Sequence, residues 1–123
     1  MRSATIRRGT SGSSGKDGII DIEELNFNVY VNGETNIYLD DYAWYGYQVS
    51  GLTLRTPVGT CYLDMVISGT SITGMINITG TTTINTYYAI TNNIVHSGDN
   101  FYIHINTNLD AFYLIGSVVL IRI

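Results

Sequence analysis

The sequence has little charge and few of the residues that cross-link or interrupt a fold. Only 13% of its 123 residues are charged, and it has one cysteine and one proline. The single Cys61 excludes an internal disulfide and a paired-cysteine zinc site. No run of about eighteen apolar residues exists, and no apolar stretch follows the basic start of the chain. We therefore expect neither a membrane span nor a secretory signal.

Residues that carry catalysis are equally scarce. His96 and His104 are the only histidines, and no G-x-S-x-G motif occurs. Neighbouring carboxylates such as Asp40 and Asp41 point to opposite faces of a strand, which does not suit paired acid–base chemistry. A calcium site using Asp40, Asp41 or Asp99 stays open, although no loop repeats the D-x-D-x-D pattern. The sequence therefore predicts no enzyme, no catalytic residue and no cofactor.

The few charges are unevenly placed. Arg2, Arg7, Arg8 and Lys16 are four of the six basic residues, whereas all ten acids follow from Asp17 onward. An acidic body opposes phosphate, so we expect no nucleic-acid partner. The basic start and the acidic body are expected to meet different surfaces. A short exposed tail that happens to be basic is the alternative.

Alternating apolar residues dominate the rest of the chain. In one example Leu25, Phe27 and Val29 alternate with polar residues, which is the period of a half-buried strand. About eight such segments recur every ten to twelve residues, and no helical period appears. We predict an all-β fold: an antiparallel, jelly-roll-like β-sandwich with an extended N-terminal arm. The boundaries are 1–18 for the arm and 19–123 for the head, and an Ig-like sandwich is the alternative.

Several local features make this prediction specific. Asn32-Gly33 is a strong hairpin signal, and it predicts that the strand before it pairs with 35–40. A strand is expected over 71–79, with Ile72, Gly74, Ile76 and Ile78 in phase, that is, on the same face. Two further in-phase sets are expected in strands 82–91 and 112–123. They are Ile84, Thr86, Tyr88 and Ile90 in the first, and Val119, Ile121 and Ile123 in the second.

An aromatic cluster follows Asp41. Tyr42, Trp44, Tyr45 and Tyr47 occupy a six-residue stretch. Rings with polar atoms suit a protein interface or a sugar-binding platform. Burial of half of the rings in the core is the simpler alternative. We treat these four residues as candidates for interface or glycan contact.

The arm contains a short glycine repeat. Gly9, Gly12, Gly15 and Gly18 recur at every third position. This is the spacing of a collagen triple helix, in which only glycine fits at the axis. A flexible linker explains the same composition, and both interpretations stay open.

The combination resembles a known group of proteins. A basic arm, a short Gly-X-Y stub and a head rich in Thr, Ile and Asn are similar to the fibre and decoration proteins of tailed bacteriophages. The segment 94–105, IVHSGDNFYIHI, resembles the "V-x-x-G-D-x-l-x-i-x-i" hairpin of their jelly-roll heads, and 118–123 resembles their closing strand. The resemblance covers most of the chain. It implies a homotrimer whose arm is fixed to the virion and whose head faces outward, with no catalytic residue.

From these features we expect a virion structural protein, assembled in the host cytoplasm. It would be a trimeric head fibre or capsid decoration protein that contacts a capsid or tail protein. Arg2, Arg7 and Arg8 are the predicted anchoring residues, and no membrane partner is expected. The alternative is the receptor- or glycan-binding tip of a tail fibre, with a host surface glycan as its ligand.

Overall fold

The computed structural model describes Arg2–Ser3, Ile6–Ser11 and residues 22–123. Within these residues the chain forms strands and no helix. The strands in chain order are β1 (Arg2–Ser3), β2 (Ile6–Ser11), β3 (Ile22–Tyr30), β4 (Asn36–Asp40), β5 (Tyr47–Arg55), β6 (Thr60–Ile67), β7 (Thr70–Ser71), β8 (Ile78–Gly80), β9 (Asn85–Tyr88), β10 (Ile94–Val95), β11 (Phe101–Leu109) and β12 (Tyr113–Arg122). Accordingly, no helix in this part of the chain has the length and apolarity needed to cross a membrane.

The strands form two facing sheets. Sheet A has the order β1-β4-β11-β6-β7, with β8 also paired to β6. Sheet B has the order β10-β5-β12-β3-β2, with β9 also paired to β5. All pairs are antiparallel except β1 with β4. Strands β3 to β6 alternate between the two sheets along the chain. The predicted all-β, jelly-roll-like antiparallel sandwich is confirmed.

The core lies between the sheets and follows the predicted alternation. Inward side chains include Leu25, Phe27 and Val29 from sheet B, and Ile103 and Ile105 from sheet A. Outward neighbours on the same strands remain at least partly exposed. Burial of one apolar face per strand is the main stabilising contribution to such a sandwich.

The predicted hairpin at Asn32-Gly33 is wrong in its pairing. The tight turn is present, with a positive φ of 77° at Gly33. However, β3 pairs with β12 and β2, whereas β4 pairs with β11 and β1. Val31 is fully buried just before the turn. The turn therefore carries the chain from sheet B to sheet A instead of closing a two-stranded ribbon.

The predicted strand over 71–79 is also wrong. Only the ends of this segment belong to strands, and Gly74 and Asn77 have positive φ angles of 97° and 51°. Ile72, Met75 and Ile78 are buried, while Ile76 is exposed. The buried side chains recur every three residues because the chain loops along one side of the sandwich instead of running straight.

The N-terminal strands cover one side of both sheets. β1 runs beside β4 in sheet A, with Arg2 opposite Ile37. β2 runs antiparallel to β3 in sheet B, with Gly9 opposite Glu24. In this structure the start of the chain therefore pairs with the outer strands that border one side of the sandwich.

The two ends of the sandwich differ. We call one end the tip, formed by residues 41–46, 68–69 and 96–100, where β4 and β6 end and β11 begins. The opposite end, the base, carries the Asn32-Gly33 turn and residues 57–59 and 110–112. Because β1 is parallel to β4, the chain enters the sandwich from the base side.

Candidate binding surfaces of the sandwich

The four aromatic residues of the predicted cluster separate into two pairs. Trp44 is 83% exposed and Tyr42 is 55% exposed, whereas Tyr47 is only 1% exposed. Tyr45 is half-buried against the core. The expectation that half of the rings pack inward fits this division. Of these four residues, only Tyr42 and Trp44 are largely exposed to solvent.

The inward pair makes defined polar contacts. The Tyr47 hydroxyl donates to Oδ2 of Asp40 at 2.8 Å. The Tyr45 hydroxyl donates to Glu23 at 3.0 Å, and the Arg122 guanidinium lies 4.1 Å from the centroid of the Tyr45 ring. These contacts satisfy the hydroxyls within the fold, as expected for buried tyrosines.

The outward pair is held by Ala43, the small buried residue that lies between Tyr42 and Trp44 in the sequence. Ala43 is fully buried, and its N–H donates to the carbonyl of Asp99 at 2.8 Å. In return the N–H of Gly98 donates to the carbonyl of Ala43 at 2.8 Å. The rings of Tyr42 and Trp44 meet edge to face, with centroids 5.2 Å apart. The backbone thus fixes two adjacent aromatic side chains at the tip.

A groove of about 450 Å³ lies at the same end of the sandwich. It is lined by Ile67, Ser68, Thr70, Asn92, Ile94, His96 and Asp99. Ile67 and Ile94 give the lining an aliphatic part, and the other five residues contribute hydroxyl, amide, imidazole and carboxylate groups. Asp99 belongs both to this lining and to the backbone contacts that hold Ala43.

Hydrogen bonds keep the Asp99 carboxylate charged. It accepts the backbone N–H of His96 at 2.9 Å and the hydroxyl of Ser68 at 3.0 Å. The His96 backbone bond is the largest cause that lowers the pKa of Asp99, and the Ser68 hydroxyl and the His96 side chain add to it. The groove therefore carries a fixed negative charge near neutral pH.

Ser68, His96 and Asp99 do not form a catalytic triad. The Ser68 hydroxyl donates to the carboxylate, and Nδ1 of His96 lies 3.4 Å from the other carboxylate oxygen. A triad instead requires the imidazole between the hydroxyl and the carboxylate, where it can take the hydroxyl proton. The arrangement suits polar recognition rather than nucleophilic attack.

A second surface lies on β9 and the residues that flank it, at one side of sheet B. We call Ile84, Thr86, Tyr88 and Ile90 the β9 row. The sequence groups these four residues correctly on one face, but this face points away from the core. Ile84, Tyr88 and Ile90 are 63%, 70% and 69% exposed.

Sequence reasoning missed a polar network on the outer face of sheet A. Asp64 accepts hydrogen bonds from the Asn106 side chain at 2.8 Å, the Asn77 backbone and the Ser71 hydroxyl. Nearby, Tyr38 and Tyr102 stack with centroids 4.8 Å apart, and burial is the main cause that raises the pKa of Tyr102. The alternation of apolar and polar residues along β11 was the signal that could have indicated this face, and it does place His104 there.

The predicted anchoring residues lie in the N-terminal strands. Arg2 is in β1, and Arg7 and Arg8 are in β2 opposite Asn26 and Leu25. Gly9 belongs to the antiparallel β2–β3 ladder, whereas Gly12, Gly15 and Gly18 lie outside the described residues. The collagen-like stub therefore stays a prediction. Within 22–123 and the two N-terminal strands, no group of three or more His, Cys, Asp or Glu side chains is placed to hold a metal ion.

Comparison with known proteins gives distant structural likenesses, two of which are as follows. No protein-family model matches the chain, and no curated protein matches its sequence. One likeness is to the catalytic unit of a thermostable GH87 alpha-1,3-glucanase from Streptomyces thermodiastaticus, with a TM-score of 0.40 and 13% identity. The other is to infectious bursal disease virus, Gx strain, with a TM-score of 0.32 and 14% identity.

The chain corresponds to only part of each of these proteins. In both cases 97% of this chain is covered, but the match spans 24% of the glucanase chain and 32% of the viral chain. Both likenesses are too distant to assign a function to this chain.

Proposed function

We propose that this chain is a structural protein of a virion. It acts as a homotrimeric head fibre or capsid decoration protein, anchored by its N-terminal arm, with the β-sandwich projecting outward. The observation that carries the proposal is the difference between the two ends of the sandwich. The basic start of the chain enters from the base side, whereas the open groove and Trp44 lie at the tip.

The charge distribution supports attachment through the N-terminal strands. Arg2, Arg7 and Arg8 concentrate positive charge in strands β1 and β2, while the rest of the chain is acidic. An acidic particle surface would attract this segment and repel the remainder of the molecule. The arm is then the contact to a capsid or tail protein, and the tip faces away from the particle.

Particle attachment tests the proposal. Purified particles of the encoding virus are incubated with wild-type protein or with an Arg2→Ser, Arg7→Ser, Arg8→Ser triple variant. These substitutions, unlike a deletion, leave the backbone available for pairing with β3 and β4. We expect the wild type to co-sediment with particles and the triple variant to lose most of this binding.

Arg55→Ser is the matched control, because it removes a positive charge from the body and should leave attachment unchanged. Equal attachment of the triple variant and the wild type would contradict anchoring through these arginines. A wild-type protein that neither occurs on particles nor binds them would overturn the virion role itself.

A second candidate function is carbohydrate binding at the tip. It is favoured by the exposure of Trp44 at the same end of the sandwich as a groove that carries Asp99, His96 and Asn92. An aromatic face and a charged acceptor suit the apolar and hydroxyl faces of a sugar. Trp44→Ala should abolish binding on a glycan array, whereas Tyr88→Ala, on a different surface, should leave it intact. Absence of binding by the wild type would exclude this candidate.

A further inference from the structure

We infer that the β9 row is the surface through which copies of this chain contact one another, an inference that rests on the proposed homotrimer and names its interface. The row consists of Ile84, Thr86, Tyr88 and Ile90. Three of these are large apolar side chains that remain more than 60% exposed. Exposed apolar residues that stand together on one face mark interaction sites more often than scattered ones do.

The row is rigid. β9 pairs with β5 over four residues, and the hydroxyls of Thr86 and Thr53 lie 3.2 Å apart across the pair. Beyond the strand, the N–H of Ile90 donates to the carbonyl of Thr73 at 2.7 Å. The apolar side chains are therefore displayed by a fixed backbone. Little conformational entropy is lost when a partner covers such a surface.

The row continues across the outer face of sheet B. Tyr88 is registered opposite Gly51, and Gly51 is opposite Val119 of β12. The Tyr88 ring lies 3.6 Å from the position that a Gly51 Cβ would occupy, so the glycine leaves room for the ring against the sheet. Val119 and Ile121 add half-buried apolar surface on the same face. The patch is broader than a single strand.

The chain around the row carries no formal charge at neutral pH. No Asp, Glu, Lys or Arg occurs between Asp64 and Asp99, and the β9 row lies within this segment. Depletion of charge together with tyrosine and aliphatic residues is the composition of an interface core.

This charge pattern indicates a second copy as the occupant. The chain has a net charge of −4, so two copies repel each other through most of their surfaces. Subunits in a symmetric assembly bring identical surfaces near a common axis, where any charge approaches its own like charge. An uncharged apolar row avoids this repulsion. The same row offers no positive charge to nucleic acid or to an anionic membrane.

The test is the mass of the full-length protein in solution, measured by light scattering at micromolar concentration. We expect the wild type at three times 13.6 kDa, and Tyr88→Glu and Ile90→Lys at 13.6 kDa. Val58→Glu is the matched control, because Val58 is also more than half exposed but lies at the base. It should remain trimeric. Circular dichroism checks that each variant is folded.

The possible outcomes separate the inference from the proposed function. Trimeric Tyr88→Glu and Ile90→Lys variants would overturn the interface and leave the trimer standing. A monomeric wild type would overturn both the trimer and its interface.

A labelling experiment keeps the test decisive if the charged variants do not fold. We expect a thiol reagent to react slowly with Tyr88→Cys in the assembly and rapidly with Val58→Cys. Equal, fast labelling would contradict burial of the β9 row.

Discussion

The hydroxyl of Tyr47 donates a hydrogen bond of 2.8 Å to Oδ2 of Asp40. Tyr47 begins β5 in sheet B, and Asp40 ends β4 in sheet A. The bond therefore joins the two sheets at the tip. A tyrosine that the sequence offers as a surface contact instead contributes to the packing of the sandwich.

Removing this hydroxyl should destabilise the fold. Tyr47→Phe keeps the ring but leaves the Asp40 carboxylate without this donor. We expect a loss of about 1–3 kcal/mol in the free energy of unfolding, as for hydrogen bonds to charged groups. Urea denaturation measures it. Tyr42→Phe, on an exposed ring, is the control and should change stability by less than about 0.5 kcal/mol. Equal effects of the two variants would contradict the role of the Tyr47–Asp40 contact.

Gly116 should not tolerate a side chain. A Cβ at Gly116 would lie 2.5 Å from the carbonyl oxygen of Thr53 and 2.6 Å from Cζ of Phe27. Because one neighbour is backbone and the other is a core ring, we expect Gly116→Ala to cost about 1–3 kcal/mol. At Gly51 the nearest atoms are 3.6 Å away, so Gly51→Ala should be close to neutral. A Gly116→Ala variant as stable as Gly51→Ala in thermal unfolding would show that this packing is not tight.

Acid should weaken the tip through Asp99. The pKa of its carboxyl is lowered from 3.8, chiefly by the backbone N–H of His96. A carboxyl with a lowered pKa stabilises the fold fully above its ordinary pKa, and this contribution is lost as the pH falls through the folded-state value. When the pH is lowered from about 6 to about 3, the melting temperature of Asp99→Asn should therefore fall less than that of the wild type. Glu24→Gln is the control, and its melting temperature should fall with pH as that of the wild type does. If Asp99→Asn also behaves like the wild type, Asp99 is not a source of the acid sensitivity.

The Cys61 thiol should be inert in the folded protein. It is fully buried, and burial raises its pKa to about 11 despite a hydrogen bond from the Gly80 backbone. The thiolate is the reactive form, so a thiol reagent should label Cys61 only after unfolding. Labelling with and without denaturant checks this. Rapid labelling of the native protein would mean that the core around Cys61 opens easily.

The sequence predicts most reliably the strands whose two faces differ in polarity. In β3 and β11 apolar and polar residues alternate strictly, and Leu25, Phe27, Ile103 and Ile105 are buried as this pattern indicates. Such alternation fixes both the strand and the direction of its apolar face, because only one face can enter the core.

Strands with apolar residues on both faces are less predictable. In β12 the sequence groups Val119 with Ile121, and the structure keeps them on one face. However, that face is the outer one, and Val118 and Leu120 enter the core instead. The β9 row behaves likewise. Alternation groups the residues of a strand, but the neighbouring strands decide which group is buried.

Contacts between distant segments were not predictable from local patterns. The Asn32-Gly33 turn is a local feature, but the pairing of β3 and β4 depends on β12 and β11, which follow much later in the chain. The groove at the tip likewise combines residues from 67 to 99. The exposure of Trp44 depends on Ala43 and its hydrogen bond to Asp99, which no spacing in the sequence indicates.

The proposed virion trimer is fixed by its arm, with the tip outward. Electron cryomicroscopy of particles of the encoding virus tests it most directly. We predict three-fold density with the base of each sandwich next to the shell and the tip, which carries the groove and Trp44, farthest from it. Particles that lack this protein, or density in which the tip contacts the shell, would contradict the account.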